Sequence, residues 1–207
     1  MQKPAMEKHD HELAYWRGKY SAGQFGASWY EYFYTQPFGL AVSDFVGKKI
    51  LDIGCGPLGS LEWLSDKAVC FGLDPLAEKY YEEFDCRTHK MEYLAAQSER
   101  IPFPAAYFDY VTALNSIDHV DDVALTLAEA ARVLKPGGIF LVIVEMNHPP
   151  RKCEPHTIRE DFIEHVAQAG LVPRYSAFFG LQYPDNLFRN VRERVPVSNI
   201  PGVLSAC

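Results

Sequence analysis

A short apolar run that closes on an acidic residue and opens into glycines, Ile50-Leu51-Asp52-Ile53-Gly54-Cys55-Gly56-Pro57-Leu58-Gly59, constrains this chain more than any other stretch. A helix-like segment, Ser60-Leu61-Glu62-Trp63-Leu64, follows at once. Strand, glycine turn and helix in that order make the nucleotide-cradling corner of an α/β fold. Gly54 and Gly56 let the backbone turn sharply and approach a ligand, because no Cβ stands in the way. The spacing Gly54-x-Gly56-x-x-Gly59 alone does not choose that ligand. Asp52 narrows the choice. A loop that holds a pyrophosphate offers it backbone N–H groups and a helix N-terminus. A carboxylate just before the first glycine would repel that anion, and it suits a ligand that carries positive charge.

From Lys48 onward, strand and helix patterns alternate. Strands are expected at about 49–53, 69–73, 91–96, 108–114 and 139–144, and helices at about 58–66, 76–84, 121–134 and 157–169. The 121–134 helix repeats Val123, Leu127, Ala130, Ala131 and Leu134 near a 3.6-residue period. Lys135-Pro136-Gly137-Gly138 stops it, and the apolar run 139–144 reads as a strand buried on both faces. Thr157 with Glu160 three residues on makes a capping-box pattern, and Gly170 ends that helix. A strand over 171–179 and a final one within the last 25 residues complete the expectation, although Pro184, Pro196 and Pro201 break the last segment. Strands alternating with helices imply a doubly wound, mostly parallel sheet, with ligands outside the carboxyl ends of its strands near the topological switch.

Ahead of this pattern, residues 1–10 read as a polar tail. Residues 11–36 are dense in aromatics, among them Tyr15, Trp16, Tyr20 and Trp29. They read as two short helices broken near Gly23 and Gly26 and stopped before Pro37. Core packing accounts for part of this segment. So many Tyr and Trp, each wanting a polar partner when buried, also imply a lid. The expected division is a helical lid over 1–40 and a ligand-binding domain over 41–207, one structural domain in all.

The net charge of -7 and the lack of any Lys/Arg cluster longer than three residues argue against a nucleic-acid partner. Cys55, Cys70, Cys86, Cys153 and Cys207 are odd in number, widely spaced and without a C-x-x-C pair. They fit reduced thiols in a cytoplasmic protein. The polar start Met-Gln-Lys-Pro shows no signal-peptide core. No apolar stretch approaches the ~20 residues of a membrane span.

Leu51-Asp52-Ile53-Gly54-Cys55-Gly56 closely resembles motif I of the class I S-adenosylmethionine-dependent methyltransferases. Asp74, at the end of the second strand and 20 residues after Gly54, suits a pair of ribose hydroxyls. Tyr107-Phe108-Asp109-Tyr110-Val111, followed by Asn115 and Asp118-His119-Val120, resembles that family's fourth strand and the loop after it. Leu134-Lys135-Pro136-Gly137-Gly138-Ile139-Phe140 resembles the motif before its fifth strand. The likeness covers roughly residues 45–180. It implies a Rossmann-like methyltransferase fold with S-adenosylmethionine as cofactor. The implied reaction is in-line SN2 methyl transfer to a small-molecule acceptor, O or N rather than C, with release of S-adenosylhomocysteine. An NAD(P)-dependent oxidoreductase or a non-catalytic S-adenosylmethionine-binding relative would share much of the same pattern.

On that resemblance Asp52, Gly54, Cys55 and Gly56 lie by the methionine part of the cofactor, with Cys55 a small spacer. Asp74 and Pro75 meet the ribose, and Asn115 lies by the ammonium. Where the family often has an acidic residue for the adenine amino group this chain has Gln97, and Ser98 or Glu99 could take the role. His119 is the acid/base candidate, against the alternative of a histidine packed beside the core. His148, directly after the fifth strand, is a second candidate at the substrate rim. Glu145, Cys153 and His156 lie near it without a tight ligand spacing, so a substrate loop is expected and no metal, and the lid with the loops 146–156 and 180–200 is expected to define the pocket. Tyr15, Trp16, Tyr20 and Trp29 form the lid. Arg17 either reaches the cofactor carboxylate or stays in solvent.

Overall fold

A computed structural model of the chain describes residues 3–24, 26–64, 66–183 and 186–197. Its centre is a five-stranded sheet of β1 Lys49–Ile53, β2 Val69–Leu73, β3 Glu92–Leu94, β4 Phe108–Leu114 and β5 Leu134–Ile143. All pairs are parallel and the order is β3-β2-β1-β4-β5. Ile50 of β1 stands opposite Cys70 on one side and Tyr110 on the other. The chain therefore winds outward from β1 to β3, then returns past β1 to begin β4. A crevice opens where the winding reverses, outside the carboxyl ends of β1 and β4. The doubly wound parallel sheet expected from the sequence is present.

Seven α-helices surround it among the described residues: α1 Lys3–Ser21, α2 Tyr30–Thr35, α3 Val42–Phe45, α4 Ala77–Glu83, α5 Val123–Val133, α6 Phe162–Gln168 and α7 Leu187–Arg192. Successive strand residues point to opposite faces, and the core divides accordingly. Leu51, Ile53, Val111 and Ala113 pack with Leu127, Ala130 and Val133 of α5 and Phe162 of α6. Ile50, Tyr110 and Leu114 belong to the opposite layer, with Tyr34 of α2, Phe45 of α3 and Tyr80 of α4. Asp52 and Thr112 share the register of this second layer, which decides the role of Asp52.

Several local expectations give way to tertiary contacts. Helix α1 begins at Lys3, so the expected tail is helical, while the break around Gly23 and Gly26 holds. The expected 58–66 helix is only a 3-10 turn over Glu62–Leu64. Leu61 and Leu64 are fully buried there, and the Glu62 carboxylate accepts the N–H groups of Lys90 and Met91 at 2.9 and 2.8 Å. Strand β5 starts early: Leu134 pairs with Phe108, residues 135–138 bulge outward, and the ladder resumes with Ile139 opposite Tyr110. Thr157 and Glu160 make no capping box. Ile158 is buried and accepts from Asn147 N–H at 2.8 Å. Glu160 accepts from the Asn147 amide at 3.0 Å, and α6 starts only at Phe162. Residues 171–179 form no strand, with Val172, Tyr175 and Phe178 exposed, because no register there buries an apolar face. Helix α7 occupies part of the segment where a last strand was expected. The remainder of that expectation, 198–207, lies outside the described residues.

Candidate functional site

The glycine turn is built by backbone needs. Gly54 and Gly56 have φ of 67° and 57°, a left-handed region that glycine enters freely. Gly54 N–H donates to Leu73 O at 2.8 Å, closing the turn onto β2. A Cβ on Gly54 would stand 2.4 Å from Ser116 Cβ, and one on Gly56 would stand 2.8 Å from Trp16 Cζ2. Ser116 in turn donates to Ile53 O at 2.7 Å. Cys55 is buried, and burial together with the Asp74 and Asp52 carboxylates pushes its thiol up. It is the expected spacer, and it lies where a Cβ on Gly72 would meet its Sγ at 2.6 Å.

A cavity of about 1060 Å³ opens above this turn. Of the residues expected at the cofactor, Gly54, Cys55, Gly56, Asp74, Pro75, Gln97, Ser98, Glu99 and Asn115 all line it. Asp74 is buried, with Oδ2 accepting from Gly56 N–H at 3.2 Å and Oδ1 from Leu76 N–H at 2.9 Å. Burial outweighs these amides and lifts its carboxyl to about 6. Ser98 is occupied with Thr126, hydroxyl to hydroxyl at 2.8 Å. Glu99 Oε1 accepts the N–H groups of Asp121 and Asp122 at 2.7 and 2.9 Å. Gln97 is exposed in the cavity and touches Asp121 only at 3.5 Å. Asn115 follows β4 with φ of 57°, and its side-chain oxygen is buried with no hydrogen-bond partner. A buried acceptor without a donor calls for a ligand N–H.

Asp52 stands apart from the cavity. Its carboxylate points into the layer beneath α2. There it accepts from Tyr34 Oη at 2.8 Å, Ser60 Oγ at 2.5 Å and Thr112 Oγ1 at 2.6 Å. Burial raises it to about 6 even so. It braces the glycine turn from below, and the cavity wall excludes its side chain.

The lid residues divide. Tyr15, Trp16 and Trp29 line the cavity; Tyr20 does not, and packs on Phe84 just after α4 with a 3.4 Å contact to Asp85. Trp16 donates to Glu12 at 2.8 Å, and Trp29 stacks on Tyr30 with centroids 4.0 Å apart. Trp29 also meets Phe188 of α7 at 5.1 Å. Helix α1 is fastened over the cavity by Lys8, which pairs with Asp121 and donates to His119 O at 2.8 Å. Arg17 makes a forked pair with Glu83 of α4 at 2.6 and 2.5 Å, so its guanidinium is spent at the surface.

The two histidines differ. His119 lines the cavity; burial pulls its imidazole down, but Glu12, Asp118 and Glu154 outweigh this and lift it to about 9. His148 does not reach the cavity. It is buried, with Nε2 3.1 Å from Asp118 Oδ2 and Nδ1 2.9 Å from Pro149 O. The substrate-rim position expected for it is therefore corrected: a buried pair with Asp118 fixes the ring behind the wall. Glu12, which was not singled out from the sequence, lines the cavity, and so do Glu145, Arg151, Glu154 and Phe188, in or beside the 146–156 and 180–200 stretches expected to define the pocket. Glu12 lies four residues before Trp16, on one face of α1, so that spacing carried a signal. The others reach the site through loops and α7, which leave no periodic trace.

Residues 51–142 match the model of a family described as "Methyltransferase domain". Over 103 residues the chain is 33% identical to tocopherol O-methyltransferase of Arabidopsis thaliana, covering 46% of this chain and 30% of that protein. Over 101 residues it is 36% identical to 27-O-demethylrifamycin SV methyltransferase of Amycolatopsis mediterranei, covering 44% of this chain and 36% of that protein. The chain thus spans about a third of the length of these curated relatives. In fold it matches an S-adenosylmethionine-dependent methyltransferase from Thermotoga maritima, with TM-score 0.63 and 17% identity over 87% of this chain and 88% of the other. The matched stretch runs from β1 to β5 and contains the glycine turn, Asp74 and Asn115, so this part of the chain is similar to a methyltransferase domain.

Proposed function

We propose that this protein transfers the methyl group of S-adenosylmethionine in line to a hydroxyl or amine of a small molecule and releases S-adenosylhomocysteine. The observation that carries this reading is one continuous cavity. Its wall joins the glycine turn, the Asp74 carboxylate and the unpartnered Asn115 oxygen with Tyr15, Trp29, Phe188 and His119. When bound, S-adenosylmethionine supplies a methyl group activated on a sulfonium.

The chain's own residues do the rest. Gly54 and Gly56 admit the methionine part, and Asn115 Oδ1 accepts from its ammonium. Asp74 takes the ribose hydroxyls. Gln97 takes the adenine amino group, because Ser98 and Glu99 already have partners. Helix α1 with Trp16 closes the site, excluding water and aligning the acceptor. With its imidazole lifted to about 9, His119 is protonated at neutral pH. It therefore orients an acceptor oxygen rather than removing its proton. The names of the relatives above, both O-methyltransferases, favour oxygen. The division into a lid over 1–40 and a binding domain over 41–207 belongs to this reading, as does a reducing, cytoplasmic setting. The described cysteines Cys55, Cys70, Cys86 and Cys153 are all free thiols. Among the described residues no helix is long and apolar enough to cross a membrane.

Thermal unfolding with S-adenosylhomocysteine, S-adenosylmethionine and NAD(H) in parallel tests the ligand. At ~100 times its dissociation constant, a bound ligand stabilises the fold by about 2.7 kcal/mol, which appears as a shift of several degrees. The first two ligands shift the midpoint, and Asp74→Asn reduces the shift by removing a charged acceptor. A shift with NAD(H) alone would sink the proposal. Labelled-methyl transfer to small molecules, peptides and RNA then tests the acceptor class.

A further inference from the structure

The turn after β4 and the loop after β5 meet beneath α1, and negative charge collects there without enough donors to hold it. The Asp118 side chain is 1% exposed. Its Oδ2 faces His148 Nε2 at 3.1 Å, while Oδ1 is sealed from solvent with no hydrogen-bond partner. The next residue, His119, likewise has a buried Nε2 with no hydrogen-bond partner. The nearest charged groups to its ring are Glu12 Oε2, 3.5 Å from Nδ1, and Glu154 Oε1, 3.7 Å from Nε2. Such lengths lie at or beyond the limit of useful hydrogen bonds. Glu145 adds a fourth carboxylate. The cations that answer this group are the His119 imidazolium, Arg151, on Glu154 at 2.7 Å and Glu145 at 3.6 Å, and His148, which faces Asp118 with one ring nitrogen and Pro149 O with the other. Lys8 is close by but is taken by Asp121 and the His119 carbonyl.

One donor atom each from Asp118, His119 and Glu154 lies within 4.8 Å of the others. Two ligands about 2.1 Å from a common divalent ion stand about 3.4 Å apart at a tetrahedral angle and about 4.2 Å apart across an octahedron. The gaps around His119 therefore have the size of a ligand set, and two of its buried polar atoms await a partner. We propose that Asp118, His119 and Glu154 bind a divalent cation of the Mn2+-to-Zn2+ class at the cavity wall, the ion displacing the proton that His119 otherwise carries. One imidazole with two carboxylates suits those ions better than Mg2+ or Ca2+. His148, bonded to the far oxygen of Asp118, is the outer group that fixes the ligand's orientation. His119 and Glu154 line the cavity, so coordination positions left open by the protein face the acceptor, where they take a hydroxyl oxygen. Only this last role rests on the transferase reading; cation binding stands without it.

The test titrates the chelator-treated full chain with Mn2+, followed by loss of the free-ion EPR signal, and with Zn2+, followed by calorimetry. Wild type, Glu154→Gln and His119→Gln are compared, each with and without S-adenosylhomocysteine. At least one ion binds at one per chain with a dissociation constant below about 10 μM, and either substitution weakens it by about tenfold or more. Both substituted residues lie at the cavity wall rather than deep in the core, and their unfolding curves check that the variants fold. If neither ion binds saturably, or if the variants bind as wild type does, the proposal fails. S-adenosylhomocysteine binding in the same samples keeps the two readings apart. Cation binding without it would sink the transferase reading alone, and the reverse would sink this site alone.

Discussion

Asp52 accepts hydrogen bonds from three hydroxyls and is still raised from 3.8 to about 6, because full burial costs its anion more than Tyr34, Ser60 and Thr112 return. A carboxyl raised on folding contributes stability that is fully present below its unfolded value. That stability is lost as pH rises through its folded value. Between pH 5 and 7.5 Asp52 therefore withdraws about 1.5 kcal/mol. Urea unfolding at these two pH values shows the wild type losing stability toward 7.5, and Asp52→Asn losing about that much less. An unchanged pH dependence in the variant would place the buried charge elsewhere. The same residue marks a limit of reading by motif. Its position before the glycines was legible, and it pointed to the family. Its orientation was not, because only the pairing of β1 with β4 sets it opposite Thr112 and under Tyr34.

Helix α5 shows an element whose signals agree. Asp122 takes the N-cap position, and its side chain accepts from Leu125 N–H at 3.0 Å. Leu127 and Ala130, read from the 3.6-residue period, are buried, together with Val133, which that reading passed over. Asp122→Ala costs about 1 kcal/mol in urea unfolding, the usual worth of such a cap. A loss below a few tenths would mean that Glu99, which caps the N–H groups of Asp121 and Asp122, holds this helix start by itself. The opposite case is Thr157 with Glu160. Their spacing satisfies a capping box, yet burial of Ile158 holds the segment extended. Local capping is worth about 1 kcal/mol, whereas burying an isoleucine side chain is worth roughly 1.5–3 kcal/mol, so the tertiary contact wins.

At the scale of the whole molecule, α1 is held differently from the rest. Among its described side chains Leu13 is buried, while most others are exposed or half-buried. Its ties are Lys8 to Asp121, Arg17 to Glu83 and Trp16 on the glycine turn. Each of these ion pairs keeps one partner about half exposed, and such pairs contribute little, so α1 opens at lower free energy than α5. Hydrogen exchange followed by mass spectrometry shows faster exchange in 8–21 than in 123–133, and slowing of the former on adding S-adenosylhomocysteine. Equal protection of both helices without ligand would rule out a lid.

By itself the sequence determined the parallel doubly wound sheet, the glycine turn and the ends of β2 and β4. Each of these is written in short-range patterns: apolar runs, glycines at a turn, a carboxylate at a strand end. The tertiary structure alone decided that Asp52 braces rather than lines the site, that His148 is walled off by Asp118, and that Glu12 and Glu154 meet His119. These depend on contacts between residues far apart in the chain, such as Glu12 with His119 and Lys8 with Asp121. Local propensity carries no information about such contacts, because burial and charge pairing fix them only once the layers have packed.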